Sequence, residues 1–328
     1  MKKILIASLA CVCLAACEDV AKTEFVAEAE KVVHLEVSLS GAVSKSASAS
    51  DDLAGADVQF FVFDASGALE GYFRDDENVG KASFRCVSGM KKVVAIVNGP
   101  QLSGVSSYEE LCGCESDLLA DNTPQALLMS GETSCLVAPG EESQQVHVLV
   151  ARRVAKVVMN SVKVEFDVEH NGDKGFRLRS IYLVNVAGKT GYLHDRDCGV
   201  WYNKGALQAT GEVPLLYFTP EQEVFLEQGQ NYLESHAFYA YSNSYPDASV
   251  TPWSPRQTRL VVEAEVGSQV CFYPVTIPDL TAGHLYKVNL VVRHLGSGSA
   301  DIPVEVLDVS GSVSVEEWAQ TGDIYEEI

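Results

Sequence analysis

Residues 32–52, VVHLEVSLSGAVSKSASASDD, join a β-strand to a string of small polar residues. Val33, Leu35, Val37 and Leu39 alternate with His34, Glu36 and Ser38, the period of two expected of a strand that buries one face. After Gly41 the chain turns to Ser, Ala and Gly around one basic residue, Lys45. A strand able to seal part of a core therefore precedes a segment with the composition of an exposed, readily cut linker.

The same strand grammar continues downstream. ADVQFFVFDASGALEGYF (56–73) reads as two strands around Asp64-Ala65-Ser66-Gly67, with Gly67 suited to the left-handed position that closes a short hairpin. The oxygens of this turn lack the acidic spacing of a calcium loop. ASFRCV (82–87) and KKVVAIVNGP (91–100) follow as strands, and residues 106–120 read as a short helical or irregular excursion. From Val146 to Val168 an apolar-rich run far exceeds the roughly five or six residues of a usual strand, and its alternation blurs after Arg152-Arg153, as at a bulge or domain junction. The arginine pair reads as a solvated strand edge rather than a protease or anion site. FRLRSIYLVNV, YLESHAFYAYSN, TRLVVEAEV, VCFYPVTI, HLYKVNLVVRHL and PVEVLDVSGSVSVEEW extend the pattern to the end, with no solenoid-type repeat. The expected fold is all-β: two antiparallel β-sandwich domains of Greek-key or transthyretin-like type in tandem, at 32–163 and 164–328.

Lys2 and Lys3 precede ILIASLACVCLAA (4–16), too short for a permanent bilayer span and laid out as a secretory signal. Leu14-Ala15-Ala16-Cys17 matches a bacterial lipobox, so residues 1–16 are expected to leave, Cys17 to carry lipid, and 17–31 to serve as a tether. Two acyl chains, at about 0.8 kcal/mol per buried CH₂, make a stable anchor. Glu18-Asp19 resembles the acidic tag that sends some lipoproteins to the outer cell surface. The formal charge of −21 deepens when two lysines leave with the signal. Such acidity disfavours nucleic acid, which requires clustered Lys and Arg, and disfavours anionic headgroups. Lipid alone is expected to hold the chain to the outer membrane.

Few stretches of the sequence carry chemistry. G-x-S-x-G, H-E-x-x-H, Walker and G-x-G-x-x-G motifs are absent. His194-Asp195-Arg196-Asp197-Cys198 is the densest polar cluster and reads as an exposed loop; LGSGSAD (295–301) likewise reads as a loop rather than a phosphate cradle. Cys112-Gly113-Cys114 has no second Cys/His pair at metal-site spacing, which leaves a disulfide to Cys135 or free thiols. Cys86, Cys112, Cys114, Cys135, Cys198 and Cys271 allow 15 pairings in an exported protein. No catalytic residue, metal or cofactor is expected.

Taken together, ADVQFFVFDASGAL, GMKKVVAIVNG and VARRVAKVVMNSV resemble the N-terminal domain of the fimbrillin family, subunits of Bacteroidales type V pili. SIYLVNV, FYAYSNS, TRLVVEAEVGSQVCFYPVTI, HLYKVNLVV and LGSGSADIPVEVLDVSGSVSVEEW resemble the family's C-terminal domain in order and spacing. The resemblance implies an exported lipoprotein whose first strand is removed by a trypsin-like protease and replaced by a strand from another subunit. On this sequence the removable strand is 32–45, with Val33, Leu35, Val37 and Leu39 inward and the cut between Lys45 and Ser46. The family's better-known cut follows arginine. Val313, Val315 and Trp318 fall on the donor strand. The implied partners are other fimbrial subunits in a head-to-tail polymer serving cell adhesion. The alternative is an uncleaved anchor subunit or stand-alone surface lipoprotein that binds a host or partner ligand.

Overall fold

The computed structural model describes residues 32–41, 56–75, 80–167, 175–247, 252–302 and 309–318. The lipobox with Cys17, and Lys45 with Ser46, lie outside them. In the first unit, β1 (Val32–Gly41), β2 (Val58–Phe63), β3 (Leu69–Asp75), β4 (Lys81–Val87) and β5 (Gly89–Val97) precede an excursion. The excursion holds α1 (Tyr108–Gly113), β6 (Glu115–Asp117) and α2 (Leu118–Asp121), and β7 (Met129–Val137) and β8 (Ser143–Arg152) follow it.

The second unit opens with β9 (Ala155–Val164), β10 (Phe176–Val184), β11 (Val186–Ala187), β12 (Lys189–Gly191) and β13 (Trp201–Tyr202). It continues through β14 (Tyr217–Phe218), β15 (Val224–Leu226), β16 (Asn231–Tyr232) and β17 (His236–Ala240). It ends with β18 (Arg259–Val266), β19 (Gln269–Thr276), β20 (His284–Val292) and β21 (Val309–Glu317).

The first sandwich faces β3-β2-β5-β7 against β4-β1-β8, the two sheets touching at a corner where Met129 and Ser130 pair with Arg152 and Ala151. The second faces β14/β15-β10-β18-β19 against β16/β17-β9-β20-β21. These orders match strand for strand. β1 corresponds to β9, β2 to β10, β5 to β18, β7 to β19 and β8 to β20. Among the described strands of these sandwich sheets, β21 alone has no counterpart.

The all-β tandem sandwiches are as expected, and each also contains one parallel pair: β1 runs parallel to β8 and β9 parallel to β20. In each unit the first strand lies beside one formed much later in the chain, and the long intervening crossover is what parallel pairing requires. The boundary also differs. β9 belongs to the second sandwich, so the chain changes units between Arg152 and Ala155, not after residue 163. At that point the Arg153 N–H leaves the strand ladder and donates to Leu128 O.

All six residues of β2 are buried. Val58, Phe60 and Val62 face the first core, with Val33, Leu35 and Val37 of β1 and Val93, Ala95 and Val97 of β5. Phe61 and Phe63 face outward, and the excursion covers them with Leu111 and Leu128, joined by Tyr192 and Leu193 of the second unit. Double burial explains why QFFVF is apolar without alternation. Ser107 caps α1 by accepting from the Glu110 N–H, and Asp117 caps α2 through Leu119 and Ala120. β6 then pairs antiparallel with β12 across the units. Below that bridge, the Tyr241 hydroxyl contacts Ser116 at 2.6 Å and accepts from Asn122 at 3.0 Å. The Tyr192 hydroxyl donates to Asp121 at 3.0 Å.

Candidate functional site

β1 is a central strand. Residues Val32 to Ser38 pair antiparallel with β4, and His34 to Gly41 pair parallel with β8. Val33 and Leu35 are 0% exposed and Val37 is 2% exposed. Each such side chain contributes about 1.5–3 kcal/mol of burial as an upper estimate. Together they rival the 5–15 kcal/mol that typically holds a whole domain folded. Leu39 is only partly buried. A cleft of about 600 Å³ opens along this half of β1, lined by residues including Ser38, Leu39, Phe73, Lys81 and His147. Across it, Ser38 Oγ and His147 Nδ1 lie 2.7 Å apart. The strand is sealed at its start and loosely covered towards residue 41, the end from which the Lys45 segment continues.

β21 has the opposite character. It pairs along its length with β20 and forms the edge of its sheet. Val313 and Val315 sit opposite Val288 and Tyr286, yet only Val313 packs on the core and Val315 remains 50% exposed. Trp318 breaks the row. Its ring stacks on Tyr239 at 5.8 Å between centroids, whereas Tyr239 lies in register with Lys156, next to the inward pair Val157–Phe238. The Arg152 guanidinium covers the indole at 4.1 Å and the Lys156 ammonium approaches it at 5.5 Å. The Trp318 N–H donates to Gly283 O at 2.9 Å.

The arginine pair is thus not a solvated edge. Arg152 lies over Trp318, and Arg153 bonds Asp195 across the unit boundary at 2.6 Å with a side chain only 14% exposed. Neither partner is near in sequence. The His194–Cys198 loop is exposed as expected, and it spends its polar groups on the seam between units: Arg196 donates to Gly113 O at 3.1 Å.

Sequence reasoning missed Asp301, at the end of the glycine-rich loop. Its carboxylate is buried, accepting from Arg256 Nη1 at 3.0 Å, Arg259 Nε at 3.3 Å and Asn185 Nδ2 at 2.5 Å. Arg256 is fully buried and Arg259 nearly so. Removing one partner of such a cluster costs about 3–5 kcal/mol, whereas a cation–π contact contributes about 0.5–2 kcal/mol. The chain entering β21 is therefore pinned firmly at Asp301, and the far end is held more weakly at Trp318. The LGSGSAD glycines give the stretch the composition of a plain loop, and nothing local marks Asp301 as the partner of Arg256 and Arg259, which lie 45 and 42 positions earlier.

The six cysteines among the described residues are free thiols. Burial pushes Cys86 up to about 11, far from the reactive range. Among the described residues no group of three His, Cys, Asp or Glu converges as metal ligands, and no helix is long and apolar enough to cross a membrane.

No protein-family model and no curated protein matches the sequence. Solved structures do. A fimbrilin from Porphyromonas gingivalis matches with a TM-score of 0.61 at 16% identity, over 89% of this chain and 99% of that one. The chain has the fimbrilin fold. A "putative cell adhesion protein" from Bacteroides eggerthii superposes with a TM-score of 0.66 at 17% identity, covering 88% and 96% of the two chains. A fimbrial assembly protein from Parabacteroides distasonis gives 0.53 at 13%, covering 87% and 99%. On the fimbrilin fold, β1 and β21 are the first and last described strands of a tandem pair of sandwiches.

Proposed function

We propose that this chain is a fimbrial subunit, a structural protein of cell adhesion that polymerises head to tail by strand exchange. The observation that carries the reading is the contrast between a first strand at the centre of one sandwich and a last strand surplus to the other. Removing β1 opens a groove between β4 and β8 with unpaired backbone on both sides and an uncovered core, and such an edge seeks a replacement strand. A strand from another copy supplies backbone hydrogen bonds for affinity, and alternate side chains filling the vacated positions set the register. A contact between one copy's C-terminal strand and the next copy's N-terminal groove is heterologous and grows a filament. In this reading Cys17 carries the lipid that holds the subunit at the outer membrane before processing. A trypsin-like protease cuts after Lys45, and Val313, Val315 and Trp318 lie on the donor strand.

Mass spectrometry of cell-surface material tests this. The reading expects a mature N-terminus at Ser46, loss of processing and filaments in Lys45→Ala, and monomers that accept but do not donate when residues 312–328 are deleted. Wild-type filaments from both variants would overturn it. A lipidated N-terminus at Cys17 on the assembled surface protein would make β1 a permanent strand and the chain an anchor or stand-alone lipoprotein.

A further inference from the structure

Arg152 occupies two structures at once. It is the last residue of β8, the strand that runs beside β1 from residue 143 to 150, and its guanidinium covers the Trp318 ring at the end of β21. The Met129–Arg152 pair closes the corner of the first sandwich at the same residue. β8 otherwise gains its ladder from β1 as far as Val150, so loss of β1 loosens the strand up to two residues before Arg152 and leaves the Met129 pair to hold that corner. Gly283 tightens the link, because its N–H donates to Val154 O and its carbonyl accepts from the Trp318 N–H. The last described residue of the chain is thereby tied, through one glycine and one guanidinium, to the two-residue hinge between the sandwiches.

We propose that Arg152, Lys156, Tyr239 and Trp318 form a latch that holds β21 on its own sandwich while β1 is seated, and opens when β1 leaves. The reading rests on the strand-exchange function above and adds an order of events to it: a subunit becomes a donor only after it has become an acceptor. The anchor at Asp301 defines what moves. The buried Arg256–Asp301–Arg259 cluster stays fixed while the strand peels back from Trp318, through the Lys287–Glu316 surface pair, towards residue 309. A surface pair of this kind offers little resistance. The latch thus stands at the end of β21 that is free to move first.

Hydrogen–deuterium exchange on the full-length monomer reads the latch without requiring filaments. Arg152→Gln keeps a polar, unbranched side chain and removes the charge and the guanidinium's cover of the indole, and it is expected to speed exchange at residues 311–318 roughly threefold to tenfold. Protection of β9 and β10 should stay unchanged, which separates an opened latch from a misfolded domain. Loosening β1 with Val37→Thr should speed exchange of β21 in the wild-type background and have no added effect on it in the Arg152→Gln background. Unchanged β21 exchange in Arg152→Gln, or equal effects of Val37→Thr in both backgrounds, overturns the latch. Trp318→Phe, which keeps an aromatic ring, should give an intermediate rate; a rate equal to wild type also counts against it. A latch seen by exchange in a chain that never forms filaments would sustain this inference and remove the polymerisation reading, so the two fail separately.

Discussion

β1 and β9 hold the same place in the two sandwiches, and their surroundings differ in one respect. Each is the first strand of its unit, antiparallel to one neighbour and parallel to the other. Outside the parallel neighbour of β9 lies a further strand, β21; along β8 no equivalent strand is present among the described residues. The second unit therefore carries one strand more than its architecture needs, and the first unit carries none to spare. Loss of β21 trims an edge. Loss of β1 opens a core. A protein built to exchange strands needs this asymmetry, because the acceptor must be unstable without a strand and the donor must remain folded after lending one.

Four substitutions probe the asymmetry, in order of expected effect. Asp301→Ala leaves Arg256 and Arg259 buried without their carboxylate and should destabilise the second sandwich by about 3–5 kcal/mol in urea unfolding. A change below about 1 kcal/mol would mean that the entrance to β21 is not anchored. Leu35→Ala, at the centre of the β1 inward face, should cost the first sandwich about 2–5 kcal/mol, whereas Val315→Ala in β21 should stay within about 0.5 kcal/mol. Equal costs at the two positions would erase the distinction between plug and spare strand.

Acid supplies the fourth probe. His236 lies on β17, the neighbour of β9, stacked on Phe218 at 3.5 Å and 2.7 Å from the Tyr232 hydroxyl. Burial holds its imidazole below the usual 6.5. The unfolded chain therefore takes up the proton first as pH falls. The His236 contribution to stability is constant above about pH 6.5 and declines below it, at no more than about 1.4 kcal/mol per pH unit, until the folded form also protonates. His236→Phe should flatten that decline in thermal melts between pH 7.5 and 5.5. A decline of the same depth in the variant would place the acid-sensitive group elsewhere.

Alternation made most strands legible. Leu35 to Leu39 and VVEAEV announced themselves by a period of two, and VVAIV by a short β-branched run bounded by the Asn-Gly-Pro turn. The hairpin at 64–67 was legible too: Gly67 takes φ +84°, and Asp64 Oδ1 accepts from the Ser66 and Ala68 N–H groups. The parallel pairs, the duplication of strand order and the position of β9 were not legible. They depend on which distant strand completes each ladder, and alternation is the same for every candidate partner. Arg152 and Trp318 are 166 positions apart in the numbering, and nothing local marks a guanidinium that will cover an indole.

The sequence by itself determined that this protein is all-β and tandem, that the strand at 32–41 buries one face, and that Lys45 is the one lysine or arginine between Lys31 and Arg74. These are local properties, set by side-chain period, turn chemistry and composition. Tertiary structure alone decided that β1 is central and β21 peripheral, that Asp301 anchors and Trp318 clasps, and that β8 touches both ends of the problem. Each of those depends on long-range pairing, where the free energy lies in burial and electrostatics between residues that the chain order keeps far apart.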